Sequence, residues 1–243
     1  MNLPMFSRKA HKWLSLFVGV QIVLWTISGF YMVVVDLDFI HGDTLVRNLR
    51  VPLATHSNRV PFAEAVRAHP EVTQISLRSL PGMAAPVYEV TSHGRKVLLD
   101  ATTGRQLSPL PDSAIGSLAR SYYAGKGELT SLTLLEKEPP LEIQSRPLPL
   151  WRADFGDWLE TSLYLHPDTG VLVTRRHRFW RWFDFLWMFH IMDYDTRSDM
   201  NNGLLRTSTV LAAITAASGI WLLYFSFRRR RPAVISTRRV SSP

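Results

Sequence analysis

WLSLFVGVQIVLWTISGFYMVVV, residues 13–35, runs for 23 positions without a charged side chain. An α-helix needs about 20 such residues to cross a hydrocarbon core of roughly 30 Å. A second run of the same kind fills residues 207–227, and the span is bounded at 206–227. Arg8, Lys9 and Lys12 precede the first run, and Arg228 to Arg231 follow the second. Cytoplasmic flanks carry such excesses of Lys and Arg. The expectation is therefore a cytoplasmic N-terminus (1–12), two transmembrane helices (13–35 and 206–227), a basic cytoplasmic tail (228–243), and everything between on the far side of the bilayer. The first run is longer than the ~7–15 apolar residues of a cleaved signal and lacks a small-residue cleavage site, so it reads as a retained anchor.

The formal charge of +8 invites a nucleic-acid reading until it is located. Residues 1–35 and 206–243 hold ten Lys or Arg and no Asp or Glu, while the middle region holds eighteen basic against twenty acidic side chains. The basicity belongs to the membrane flanks, where it sets topology and attracts anionic lipid. Nucleic acid is excluded as a partner; the lipid bilayer is the expected one. With no cysteine in the chain, disulfides, thiolate metal sites and covalent haem attachment are excluded as well.

The region between the spans reads as two copies of one small α+β unit, residues 36–110 and 111–178. In the first, residues 61–69 predict a short helix with proline in its opening turn, stopped by Pro70. Residues 72–80 alternate apolar and polar, as a half-buried strand does. Residues 86–92 and 96–101 form a hairpin around His93-Gly94, and Ala101-Thr-Thr-Gly104 is a turn. In the second, a helix over 112–123 precedes strands at 128–135, 148–155, 161–166 and 171–175, with Pro167-Asp-Thr-Gly170 in the place of the first turn. The predicted fold class is an α+β membrane protein: two transmembrane helices bracket an extracytoplasmic domain of two units, each an antiparallel sheet backed by one helix.

Residues 179–192 are crowded with Phe and Trp and too short to span a bilayer, so they predict an interfacial helix; an acidic loop completes the segment 179–205. At helical spacing Phe179, Phe183, Leu186 and His190 share one face. Within the first span, Gln21, Thr26 and Ser28 are expected to face protein rather than lipid. Ser15/Gly19 and the pairs Ala212/Ala216, Ala213/Ala217 and Thr215/Gly219 permit close helix approach, either between the two spans or in a homodimer.

Several stretches resemble the PepSY-associated transmembrane protein family. They are Arg8-Lys-Ala-His-Lys-Trp-Leu14, Tyr88-Glu-Val90, Leu98-Leu-Asp-Ala-Thr-Thr-Gly104, Leu150-Trp-Arg152, Leu163-Tyr-Leu-His-Pro-Asp-Thr-Gly170, and Phe183-Asp-Phe-Leu-Trp-Met-Phe-His-Ile-Met-Asp-Tyr194. The resemblance covers residues 8–227 and implies PepSY-like units, a bacterial inner-membrane location and a periplasmic main domain. Larger relatives have about four spans and resemble siderophore-iron reductases; this chain has two.

A histidine on an apolar stripe is suited to axial haem ligation, and the resemblance raises that reading for His190 and for His11, with haem b as the candidate cofactor. The expected topology sets the two at opposite membrane faces, roughly 35 Å apart by helix rise, so each needs a partner chain or a symmetry mate to complete a bis-histidine site. The competing reading makes His11 an interfacial polar residue and has His190 bonded to Asp193 or the loop backbone. His41, His56, His69, His93, His166 and His177 show no ligand spacing and read as surface or turn residues.

Asp193, Tyr194 and Asp195 are candidate contacts for a membrane or periplasmic partner, in a loop that otherwise reads as a solvated connector with helix-capping Asp and Asn. A calcium loop does not fit, since Ser198 stands where glycine is needed. No catalytic motif is present, so any electron transfer draws on a separate donor. Three functions stay open: a subunit of an extracytoplasmic redox or iron-uptake system, a non-enzymatic module that regulates or chaperones a periplasmic partner through an edge strand such as Tyr88 to Val90, and a packing subunit of a larger membrane complex.

Overall fold

The computed structural model describes residues 3–49, 53, 59–67, 69, 71–83 and 85–228. His56, the Pro70 helix stop and the basic tail after residue 228 lie outside the described residues. The chain divides into two compact units, residues 31–186 and residues 1–30 with 187–243.

In the unit of residues 31–186, the described residues form seven strands in two antiparallel sheets. Strands β1 (Val72–Arg78), β2 (Val87–Ser92) and β3 (Arg95–Asp100) form the first in the order β1-β2-β3; β4 (Leu129–Leu135), β5 (Leu150–Phe155), β6 (Ser162–Leu165) and β7 (Leu172–Arg176) form the second in chain order. The alternation of apolar residues decides which side chains go inward. Val87 and Leu98 point to one face of the first sheet, and Tyr88, Val90 and Leu99 to the other.

The helices differ from a simple one-per-sheet arrangement. Helix α4 (Asp112–Tyr122) contributes Ile115, Leu118 and Ala119 to a cluster that also holds Val87 and Leu98 from the first sheet and Ala153, Phe155, Leu163 and Leu165 from the second. The two predicted units therefore share one core. Ser108 stitches them at the backbone level: its hydroxyl accepts from Leu98 N at 2.7 Å and donates to Asp168 O at 2.5 Å. Helix α3 (Phe62–Ala65) covers the first sheet's other face through Ala65. It is four residues long rather than the nine expected, because the chain after Ala65 tightens into three-residue bonds, Arg67 N to Glu64 O and His69 N to Val66 O.

Two further findings depart from the sequence reading. The stretch Tyr88 to Val90 is no edge: β2 is the central strand, and Tyr88 pairs with both Leu77 and Leu99. No extended peptide can add there. Residues 36–45 also hold helix α2 (Leu37–His41), started by Asp36 accepting from Phe39 N at 2.9 Å and ended by Gly42 at φ 75°. That left-handed conformation suits glycine.

In the other unit, α1 (Leu3–Val34) and α6 (Gly203–Arg228) are both long and apolar enough to cross a membrane. Only 11% and 6% of their apolar windows are buried, which is compatible with a membrane protein and not with core helices of a water-soluble body. The first helix begins ten residues before its predicted apolar start, so the basic turn around His11 is helical too. Val18, Ser28 and Thr215 are buried, but a methyl on Gly19 would meet nothing within 4 Å among the described residues, so Gly19 does not set the packing of α1 against α6 within the chain. Thr26 is exposed rather than protein-facing: its hydroxyl donates to Ile22 O of its own helix at 2.8 Å and needs no other partner.

Candidate functional site

The aromatic segment forms helix α5 (Arg178–Ile191), with Met192 at φ 53° just beyond its end. The last carbonyls of a helix have no partner within it. Here side chains take them. Gln21 Nε2 donates to Phe189 O at 3.1 Å, Trp25 Nε1 to His190 O at 2.8 Å, and Asn202 Nδ2 to Ile191 O at 2.9 Å. Gln21 and Trp25 stand four apart on α1, one turn of the same face. Asn202 does double duty, since its Oδ1 also accepts from Leu205 N at 2.8 Å and caps α6.

His190 is held by Ser28 rather than by Asp193 or the loop backbone. Its Nδ1 lies 2.8 Å from Ser28 Oγ, and that hydroxyl is also 2.7 Å from Leu24 O and 3.2 Å from Trp25 O. A hydroxyl has one proton, and carbonyls can only accept. With the proton directed to Leu24 O, Ser28 accepts from the Nδ1–H of His190. The lone pair then sits on Nε2, which has no partner among the described residues. Trp187 stacks on the imidazole, with centroids 6.1 Å apart and planes at 11°.

His11 is different. Its Nδ1 lies 2.7 Å from Ser218 Oγ, whose own proton goes to Thr215 O at 2.8 Å, and its Nε2 lies 3.3 Å from Ser15 Oγ. Both ring nitrogens are engaged, and a methyl on Gly219 would come within 3.2 Å of the ring. The structure does not bring the two histidines together. His11 and Ser28, the partner of His190, are both on continuous α1, about 26 Å apart by the helical rise.

The acidic loop is organised around Asp193. Its carboxylate accepts from the N–H groups of Thr196, Ser198 and Asp199 at 2.9–3.1 Å and from the Thr196 hydroxyl at 2.6 Å. These donors hold the carboxyl well below the usual carboxylate range, with the Thr196 hydroxyl the leading cause. Asp193 is thus spent on shaping its own loop. Tyr194 is half exposed and meets the Phe189 ring edge-on at 5.8 Å.

Two groups in residues 31–186 escaped the sequence reading. His177 is fully buried, not a surface residue: its Nε2 is shared between Phe39 O at 2.9 Å and Ile40 O at 3.0 Å, the last turn of α2, and its buried Nδ1 has no partner among the described residues. Arg175 completes that cap by donating to His41 O at 3.0 Å and pairing with Asp43. Glu142 is the second. It accepts from the buried Tyr164 hydroxyl at 2.5 Å and from Arg181 Nε at 2.6 Å, while Arg181 also donates to Ser162 Oγ and Glu160 O. No ligand-type spacing marks either residue, and their partners are far away in sequence.

Among the described residues, no three His, Asp or Glu side chains converge to hold a metal ion. The chain matches no protein-family model, no curated protein and no solved structure.

Proposed function

We propose that this chain is a two-span inner-membrane protein of the PepSY-associated kind, with both termini cytoplasmic and the α+β domain periplasmic. In this reading it is a subunit of an extracytoplasmic redox or iron-uptake system, and His190 is an axial ligand for haem b. The observation that carries the reading is the contact between Ser28 and His190. Haem iron takes the lone pair of a neutral imidazole, and the opposite N–H needs a fixed acceptor that sets the tautomer and the ring plane. With its proton directed to Leu24 O, Ser28 supplies that acceptor, and Nε2 is left for a ligand.

Trp25 and Gln21 hold the helix end that carries the histidine, and Trp187 gives its ring an apolar neighbour. When bound, haem supplies one-electron transfer. The second axial position belongs to another copy or another subunit, because His11 is too far away and its nitrogens are engaged. His11 instead holds α1 against α6 through Ser218.

The test is the absorption spectrum of the full-length protein purified from cells grown with ample haem precursor. A Soret band and a pyridine haemochrome of the b type are expected in the native protein and in His11→Ala, and both are lost in His190→Ala. Ser28→Ala should keep the band and raise the midpoint potential, since an imidazole without its acceptor is a weaker donor. Native protein without Soret absorbance refutes the assignment.

A further inference from the structure

The four strand edges of the two sheets are unequally protected. Exposed edges are usually blunted by charge, proline or a covering segment. Strand β1 ends on Arg78 in an ion pair with Glu89, β3 carries Arg95 and Lys96 and is bridged from Leu99 to Gln106, and β7 carries Arg175 and Arg176 beside His41 O. Strand β4 reads LTSLTLL, with no charge and no proline. It has β5 on one side and, among the described residues, no strand on the other.

Under that open edge runs a groove between β4 and α4. It has two adjoining hollows, of about 460 Å³ and about 330 Å³, which share Arg120 and Leu129. Arg47, Arg120 and Lys126 line the larger, and among the described residues none of the three has a carboxylate partner, whereas Arg78, Lys96, Arg152, Arg175, Arg178 and Arg181 all do. Among the described residues that line the larger hollow, three cations face one acid, Glu128. Asp112 lines the smaller, where it accepts from Ser113 N at 2.6 Å, and the carboxylate of Asp157, behind the Tyr123 wall, is taken up by the hydroxyls of Tyr123 and Thr161.

The groove is preformed. Arg47 N donates to Tyr122 O at 2.8 Å and Ala124 N to Leu45 O at 2.9 Å, which fixes the segment bearing Arg47. Tyr123 and Phe155 stack at 3.9 Å as an aromatic wall, and the Tyr123 hydroxyl donates to Asp157 at 2.7 Å. Gly127 closes the turn beside them, where a methyl would stand 2.9 Å from Asp157 N.

We propose that the β4 edge and this groove bind an extended, acidic peptide segment of a partner protein by strand addition. A strand paired to β4 gains main-chain hydrogen bonds along the open edge and sends alternate side chains toward α4. Carboxylates at those positions meet Arg120 and Lys126 in charge-assisted bonds. A small anion would use the larger hollow alone and leave the strand edge and the smaller hollow unexplained. The proposal is independent of haem.

The test uses the full chain in zwitterionic nanodiscs and two end-capped, fluorescein-labelled nine-residue peptides, one alternating Glu and Val, the other Lys and Val. The Glu peptide is expected to bind at least tenfold more tightly. It should also slow hydrogen exchange at alternate amides within residues 129–135. Arg120→Glu, an exposed position on α4, should cost at least tenfold in affinity for the Glu peptide and leave the thermal unfolding of the protein unchanged. Equal binding of the two peptides, binding without protection of residues 129–135, or no binding of either would overturn the proposal.

Discussion

Asp100 and His166 hold equivalent places in the two halves of the domain. The carbonyl of each accepts from a glycine four residues on, Gly104 or Gly170, at 2.8 Å. The N–H of each donates to the carbonyl five residues on, Arg105 or Val171, at 2.9 Å. Each side chain accepts from the N–H two residues later, Thr102 at 2.7 Å and Asp168 at 3.1 Å. The likeness extends to the strands: the first strand of each sheet carries an irregularity at its start, between Val72 and Gln74 and between Leu129 and Ser131. The two halves thus match in both the turn and the strand irregularity.

The two turns nevertheless differ in what surrounds them, and substitution should show it. Gly104 and Gly170 have φ of 70° and 64°, so alanine at either costs about 1 kcal/mol for the left-handed backbone. At Gly104 the nearest side-chain atom to a new methyl is 3.9 Å away, but at Gly170 it is Leu118 Cδ1 at 2.4 Å. Overpacking adds about 1–3 kcal/mol there. Gly170→Ala should therefore unfold in urea well before Gly104→Ala, and equal midpoints would contradict the shared core around α4.

His177 should make the fold sensitive to mild acid. Burial pushes its pKa below the ordinary 6.5, against the raising effect of the Phe39 and Ile40 carbonyls. A group with a depressed folded pKa binds more protons unfolded than folded once the pH falls below 6.5, so stability falls with pH from there down to the folded value and is complete above. Melting temperatures between pH 7.5 and 5 should decline more steeply in the native protein than in His177→Gln, which keeps an N–H for the α2 carbonyls but does not titrate. Parallel curves would remove His177 as the cause.

The elements that were legible in the sequence are those governed by local pattern. The strands follow from alternation, the turns from Thr-Gly pairs, and the spans from length without charge. What was illegible depends on pairing across the chain. His177 looks like a surface residue after Arg175-Arg176, and only the packing of β7 beneath α2 buries it. Ser28 was marked as protein-facing by its polarity in an apolar span, but nothing nearby in sequence names His190 as its partner. Thr26 carries the same polarity and is exposed, because a helical hydroxyl can satisfy itself on the carbonyl four residues back. The open edge was misplaced on β2, since strand order is set by how hairpins stack and not by the strands' own residues.

Trp25 offers a test of the helix-end cap that is separate from haem. Its indole donates to His190 O at 2.8 Å, and phenylalanine keeps the apolar bulk without the donor. Polar contacts within membranes average about 0.6 kcal/mol, so Trp25→Phe should lower the unfolding free energy in lipid by about that amount, as should Gln21→Leu at the Phe189 carbonyl. The double variant should lose more than the sum, because the two donors hold successive carbonyls of one helix end and either one alone keeps it from fraying. Strict additivity in steric-trap or SDS-unfolding measurements would mean that the two donors act separately and that the end of α5 is held by other contacts.

Glu142 carries the largest expected single effect. Its carboxylate takes the Tyr164 hydroxyl and Arg181 together, while its carbonyl accepts from Arg176 Nε at 2.8 Å. The guanidinium of Arg176 in turn lies 3.7 Å over the Trp180 ring, and burial is the chief reason its pKa falls to about 10. Removing the acid leaves Arg181 beside a buried phenol with the more exposed Glu160, 4.0 Å from its Nη1, as counter-charge. Losing a well-buried pair costs about 3–5 kcal/mol, and the loss is less here, since Arg181 is 29% exposed and keeps that second partner. Tyr164→Phe deletes one neutral donor and leaves the ion pair intact, at about 1–1.5 kcal/mol. The order expected from urea unfolding is Glu142→Ala worst, then Tyr164→Phe. If Tyr164→Phe proves the more damaging, the phenol is held by packing and the carboxylate is incidental to the attachment of the first turns of α5 to the second sheet.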